Sequence, residues 1–191
     1  GCHVTCLNLS EVENQRNEEK NQAQGLDELI SVAPGNFEDI PADDAQFDVV
    51  WSEDAILHSD RKDKVFAEVH RILKPGGTFI FTDPMQSDNC PEGVLQPILD
   101  RIHLKELGSV KKYRAMAADL GFQEVNITEM PEQLINHYSS VLKKLEETEP
   151  VLREKGVEQE YIDNMKKGLN HWIEGGKNDY LNWGIMQFKK G

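Results

Sequence analysis

At 191 residues and 38% apolar content the chain is long enough to bury one core, and its 21 basic against 34 acidic residues leave a formal charge of -13. That balance repels phosphate backbones and anionic membrane surfaces, which argues against nucleic acid and membranes as partners. No run approaches the roughly 18 apolar residues of a membrane span.

Residues 3–9, HVTCLNL, alternate and favour a strand, and Ser10 with Glu13 forms a capping-box pattern that opens a polar helix to about Gln24. LISVAPGN (29–36) reads as a second strand, FDVVWS (47–52) as a third and GTFIFTD (77–83) as a fourth, each short and apolar as buried parallel strands are. Before the fourth, Val65, Phe66, Val69, Ile72 and Leu73 share one helical face, and Pro75-Gly76-Gly77 is expected to end that helix. Val94 to Leu104 is helical but interrupted by Pro97, while Val110, Tyr113, Ala117 and Leu120 form a stripe that stops at Gly121. FQEVNITEM (122–130) is strand-like. Leu134, Tyr138, Val141, Leu142 and Leu145 mark one amphipathic helix, Tyr161, Met165, Leu169, Trp172 and Ile173 another, and WGIMQFKK (183–190) closes as a strand. The order β-α-β-β-α-β-α-β-α-α-β predicts a mostly parallel α/β sheet with a terminal strand free to run antiparallel.

Ligands in such sheets sit beyond the carboxyl ends of the strands. The rim residues are then Asn8, Gly35-Asn36-Phe37, Ser52-Glu53-Asp54 and Asp83-Pro84-Met85. Cys2, Cys6 and Cys90 are an odd set without metal spacing and read as reduced thiols, and the start GCHVTCLNLS lacks the regions of a signal peptide, so a cytoplasmic location is expected.

GNFEDIPADDAQFDVVWSEDAILHS and VFAEVHRILKPGGTFIFTDPM resemble the segments after the second, third and fourth core strands of class I S-adenosylmethionine-dependent methyltransferases. CLNLSEVENQRNEE, TDPMQSDN, QPILDRIHLKELGS, INHYS, NMKKGLNHWIEGG and WGIMQFKK, spread over essentially the whole chain, resemble the sarcosine/dimethylglycine N-methyltransferases that make glycine betaine. The resemblance implies a Rossmann-like sheet in one methyltransferase domain, 1–191, with helical segments 91–121 and 131–176 covering the rim. The first core strand of that family and its glycine-rich loop have no counterpart here, because this sequence starts at what looks like the second strand. The place of that strand lies between the first and third strands seen here, so their edges are expected to stand unpaired, open to strand exchange or homo-oligomer contact.

The implied cofactor is S-adenosylmethionine, with S-adenosylhomocysteine as product, and the implied partner is a small amine. On the cofactor side the resemblance points to Asn8, where many relatives carry an acid for the ribose hydroxyls, to Asn36 and Phe37 beside the adenine, and to Ser52 and Glu53. Asp54 and His58 are candidates for the methyl-transfer cavity, with helix capping near Ser59-Asp60 as the competing reading. Pro84 and Met85 match a family pair linked to dimethylglycine binding, methionine offering a soft wall for N-methyl groups and Asp83 remaining structural; the alternative is a strand stop and a core filler. Arg101 and the His137-Tyr138 pair are candidates for holding the substrate carboxylate. Trp172, Trp183 and His171 read as packing, and the six histidines show no metal spacing, so no metal is expected. Competing functions are methylation of another acceptor, such as phosphoethanolamine, a sterol or another lipid, and a non-catalytic fragment that, without the glycine-rich loop, does not bind the cofactor alone.

Overall fold

In a computed structural model that describes residues 1–191, strand β1 (Val4–Asn8) runs parallel to β2 (Ile30–Pro34), with helix α1 (Glu11–Ala23) between them. Ser10 caps α1 by accepting the Glu13 N–H at 3.3 Å. The capping box closes only by half, because the Ser10 N–H donates to Asn8 Oδ1 at 2.9 Å while Glu13 pairs with Arg16.

A second sheet holds β3 (Phe47–Glu53), β4 (Leu73–Gln86), β5 (Phe122–Glu129) and β6 (Leu181–Lys190) in the order β3-β4-β6-β5. β3 and β4 are parallel, and β6 runs antiparallel to both of its neighbours. β1 and β3 belong to different sheets, so the unpaired edges expected from the sequence are present in the single chain.

Helix α2 (Lys62–Ile72) ends three residues before the Pro-Gly-Gly turn expected to stop it, and β4 runs straight through that turn. Leu73 is fully buried and pairs with Phe47, which pulls the chain into the sheet early. The glycines serve a bulge instead: Gly76 sits at φ +76°, and a side chain on Gly77 would meet Lys74 O at 2.9 Å and Asp48 O at 3.1 Å. At its other end β4 continues past the expected stop at Asp83 through Pro84 to Gln86. Proline is tolerated there because the β3 ladder ends at Glu53 opposite Thr82, leaving β4 bonded to β6 alone.

The main core lies between this sheet and two helices, α2 and α4 (Val110–Asp119). Phe66 stacks on Tyr113 at 5.6 Å and meets Phe79 and Phe81 edge-on at 5.4 and 5.6 Å, so truncating it to alanine should cost about 3–5 kcal/mol. Helices α3 (Gln96–Ile102), α5 (Pro131–Glu154) and α6 (Gln159–Lys177) build a second cluster around Leu57, Ile98, Leu134, Trp172 and Leu181. Pro97 stands in the first turn of α3, where its missing N–H costs nothing, so it opens the helix that it was expected to interrupt. No helix is long and apolar enough to cross a membrane.

Candidate active site

Successive side chains on a strand face opposite sides, so Phe79, Phe81, Asp83 and Met85 point into the main core while Thr82 and Pro84 point the other way. Trp183, directly opposite Pro84 on β6, shares that second side. Asp54 closes β3 by donating its N–H to Thr82 O at 3.0 Å and then turns with φ 47°, a conformation that aspartate tolerates better than most residues. Its Oδ1 accepts the Thr82 hydroxyl and the Trp183 indole N–H, each at 2.8 Å. Two strands, β4 and β6, thus pin a carboxylate carried just past the end of a third.

This carboxylate opens on a cleft of about 390 Å³, a size suited to a small ligand. The floor is Asp54, Leu57, His58 and Pro84, and Trp183 forms one wall. The roof comes from Ile102 of α3, from Gln133, Leu134, His137 and Tyr138 of α5, and from Trp172 of α6. Tyr138 stacks on Trp172 at 4.8 Å, with His137 edge-on to it at 5.1 Å. Burial, helped by the Asp54 charge, pushes the Tyr138 hydroxyl up to about 12, so it remains a neutral donor. No lysine or arginine lines the cleft. An anion among aromatic faces, without a competing fixed cation, favours an amine or ammonium group.

Asp54, His58, Pro84, His137 and Tyr138 therefore meet in one hollow. Met85 does not: it is fully buried in the main core, on the opposite side of β4 from Pro84. The apolar wall expected of Met85 is supplied by Pro84, Leu57 and Trp183. Arg101 is also elsewhere, its guanidinium lying against Gly168 and donating from Nη1 to Asn164 O at 2.7 Å, which ties α3 to α6. That geometry makes it a helix clamp in place of a carboxylate anchor.

The residues expected on the cofactor side stand at strand ends outside the cleft lining. Asn8 has its Oδ1 engaged by Ser10, leaving its amide NH2 free of that bond. Asn36 Oδ1 accepts the Glu38 N–H at 2.9 Å, and Phe37 packs against the main core. The loop that carries them is joined to the cleft floor through Glu38, which accepts the Ser59 hydroxyl at 2.5 Å. Ser52 is half-buried and Glu53 exposed at the end of β3. Free amide donors and an exposed carboxylate are the chemistry that an adenine edge and a ribose diol require.

Leu57, Ile102, Gln133, Leu134, Trp172 and Trp183 also line the cleft without having been singled out for it from the sequence. For three of them a signal exists: Gln133 and Leu134 precede His137 and Tyr138 by one helical turn, and the β6 alternation gives Trp183 the face opposite Met186 and Phe188.

The methyltransferase domain family matches residues 1–81. The sarcosine/dimethylglycine N-methyltransferase of Aphanothece halophytica is 53% identical over 190 residues, spanning 100% of this chain and 68% of that protein. The enzyme of the same name from Halorhodospira halochloris is 51% identical over 191 residues, with the same coverage. A solved structure of a sarcosine dimethylglycine methyltransferase from Galdieria sulphuraria superposes with a TM-score of 0.93 at 43% identity, covering 99% of this chain and 70% of that one.

Proposed function

The chain belongs to the sarcosine/dimethylglycine N-methyltransferase family of class I methyltransferases, and from that premise we propose that its cleft methylates sarcosine and dimethylglycine, ending at glycine betaine. When bound, S-adenosylmethionine supplies an electrophilic methyl group for in-line transfer to the amine nitrogen. Asn36, Phe37, Asn8 and Glu53 would hold its nucleoside end, as their free donors and exposed carboxylate suit, with S-adenosylhomocysteine left as product.

The single observation that carries this reading is the composition of the cleft: the pinned Asp54 carboxylate among Tyr138, Trp172 and Trp183, with no lysine or arginine in the lining. Positive charge grows on the acceptor nitrogen as the new bond forms, and the aromatic faces favour it by about 0.5–2 kcal/mol. Asp54 acts in the same direction. Because Thr82 and Trp183 already donate to Oδ1, the carboxylate is held in place before the acceptor arrives and need not reorganise. A tertiary amine loses no proton in the step, so dimethylglycine needs no general base; sarcosine must shed one afterwards, and His58, which lines the floor, would take it. His137, Gln133 and the Tyr138 hydroxyl, which line the roof, would meet the acceptor carboxylate.

Incubating the protein with S-adenosylmethionine and a panel of sarcosine, dimethylglycine and phosphoethanolamine tests this reading by mass analysis of the products. Glycine betaine is the expected product; turnover of phosphoethanolamine, with none of dimethylglycine, would replace the assignment.

A further inference from the structure

The turn that carries Leu57 and His58 into the cleft, a single 3-10 turn over Ile56–His58, is held from beneath by two buried charged side chains that methyl transfer does not use. Asp83 is fully buried on the core side of β4, and its Oδ1 accepts the Leu57 N–H at 2.9 Å. Its Oδ2 accepts the Tyr113 hydroxyl from α4. Lys62, 7% exposed in the first turn of α2, reaches the other side of the same residue, donating from Nζ to Leu57 O at 3.2 Å and to Ser59 O at 2.6 Å. The N–H and C=O of Leu57 are thus gripped by an acid and a base from two different elements. Burying both charges is costly, and apolar side chains would fill the same space with less penalty. What the pair adds is a fixed orientation for one peptide.

We propose that Asp83 and Lys62 are positioning residues for the acceptor cleft, fixing the Leu57 backbone and thereby aiming the His58 ring and the Leu57 side chain at the acceptor. This inference rests on the cleft being the acceptor site. The two hydrogen bonds from Lys62 span Leu57 to Ser59, so the grip covers the whole stretch that carries His58. Ser59 is held a second time through its hydroxyl, which donates to Glu38 on the loop carrying Asn36 and Phe37. Movement of this turn would therefore disturb the cofactor side as well as the acceptor side.

Three variants separate positioning from bulk stability. Lys62→Met removes the donor while keeping length, Asp83→Leu removes the acceptor, and Asp83→Asn retains an amide oxygen for the Leu57 N–H. Each is followed by nuclear magnetic resonance of the Leu57 amide and His58 ring and by steady-state methylation of dimethylglycine. In folded Lys62→Met and Asp83→Leu both sets of resonances should shift, and kcat should fall about 10- to 100-fold, the scale of a misplaced reacting group. Affinity for the amine should change less than kcat, and Asp83→Asn should return spectra and rate toward the parent protein. If Asp83→Leu does not fold, Lys62→Met decides. Unmoved Leu57 and His58 signals in folded Lys62→Met would overturn the proposal, as would an Asp83→Asn variant as slow as Asp83→Leu. If the parent protein binds S-adenosylmethionine yet methylates none of the amines tested, the acceptor assignment fails, and the spectra still decide whether the grip on the turn exists.

Discussion

Replacing Asp83 by asparagine should change how stability depends on pH. Burial pushes the Asp83 carboxyl up from 3.8 to about 7, against the opposing pull of the Tyr113 and Leu57 hydrogen bonds and the Lys62 charge. The folded state therefore holds this proton more tightly than the unfolded chain does. Its contribution to stability is complete below the unfolded value and is lost as pH rises through the folded one. A rise from 3.8 to about 7 corresponds to about 4 kcal/mol, spread over that window with a slope of up to about 1.4 kcal/mol per pH unit. The assay is urea unfolding at half-unit steps from pH 4 to 8 for the parent and Asp83→Asn, compared as a difference so that the other carboxylates cancel. The parent should lose stability relative to the variant across the window, with m-values unchanged. Parallel curves would refute the reasoning. A parent that gains stability over the variant as pH rises would show that the attraction to Lys62 outweighs burial.

Three further outcomes follow from particular contacts. Trp183→Phe removes one of the two donors on Asp54, a bond to a charged group worth about 1.5–3 kcal/mol, so kcat/KM for dimethylglycine should fall at least about tenfold with the fold retained; an unchanged rate would mean that the carboxylate is not used. Arg101→Ala should lower the melting temperature by releasing α3 from α6 while leaving the KM for dimethylglycine unchanged, and a marked rise in that KM would restore Arg101 as the carboxylate anchor. Gly108→Ala would place a methyl 2.1 Å from the Tyr113 hydroxyl, forcing the ring away from Asp83, and should cost on the order of 3 kcal/mol, read from the urea midpoint.

The elements were legible in the sequence because burial imprints a period on it. The stripe Val65, Phe66, Val69 and Ile72 became the buried face of α2, and the last strand took the antiparallel direction left open to it. The start of β4 was not legible, since Pro-Gly-Gly serves a helix end and a strand bulge equally well and only the burial of Leu73 decides between them. Pro84 and Met85 are adjacent in sequence, yet the two-residue repeat in FIFTDPM parts them, aligning Met85 with Phe79 and Phe81. Arg101 could not be read at all: its partner carbonyl lies 63 residues away, and no local pattern records a contact of that range.

The hollow is assembled from two sources, the strand termini below and the α5–α6 hairpin with α3 above. On the proposed function, replacing Gln133 or His137, one turn apart on α5, should retune which amine is welcomed while Asp54 stays pinned by Thr82 and Trp183. The two sources are thereby separable: the sheet end fixes the carboxylate, and the helices supply the side chains that face it.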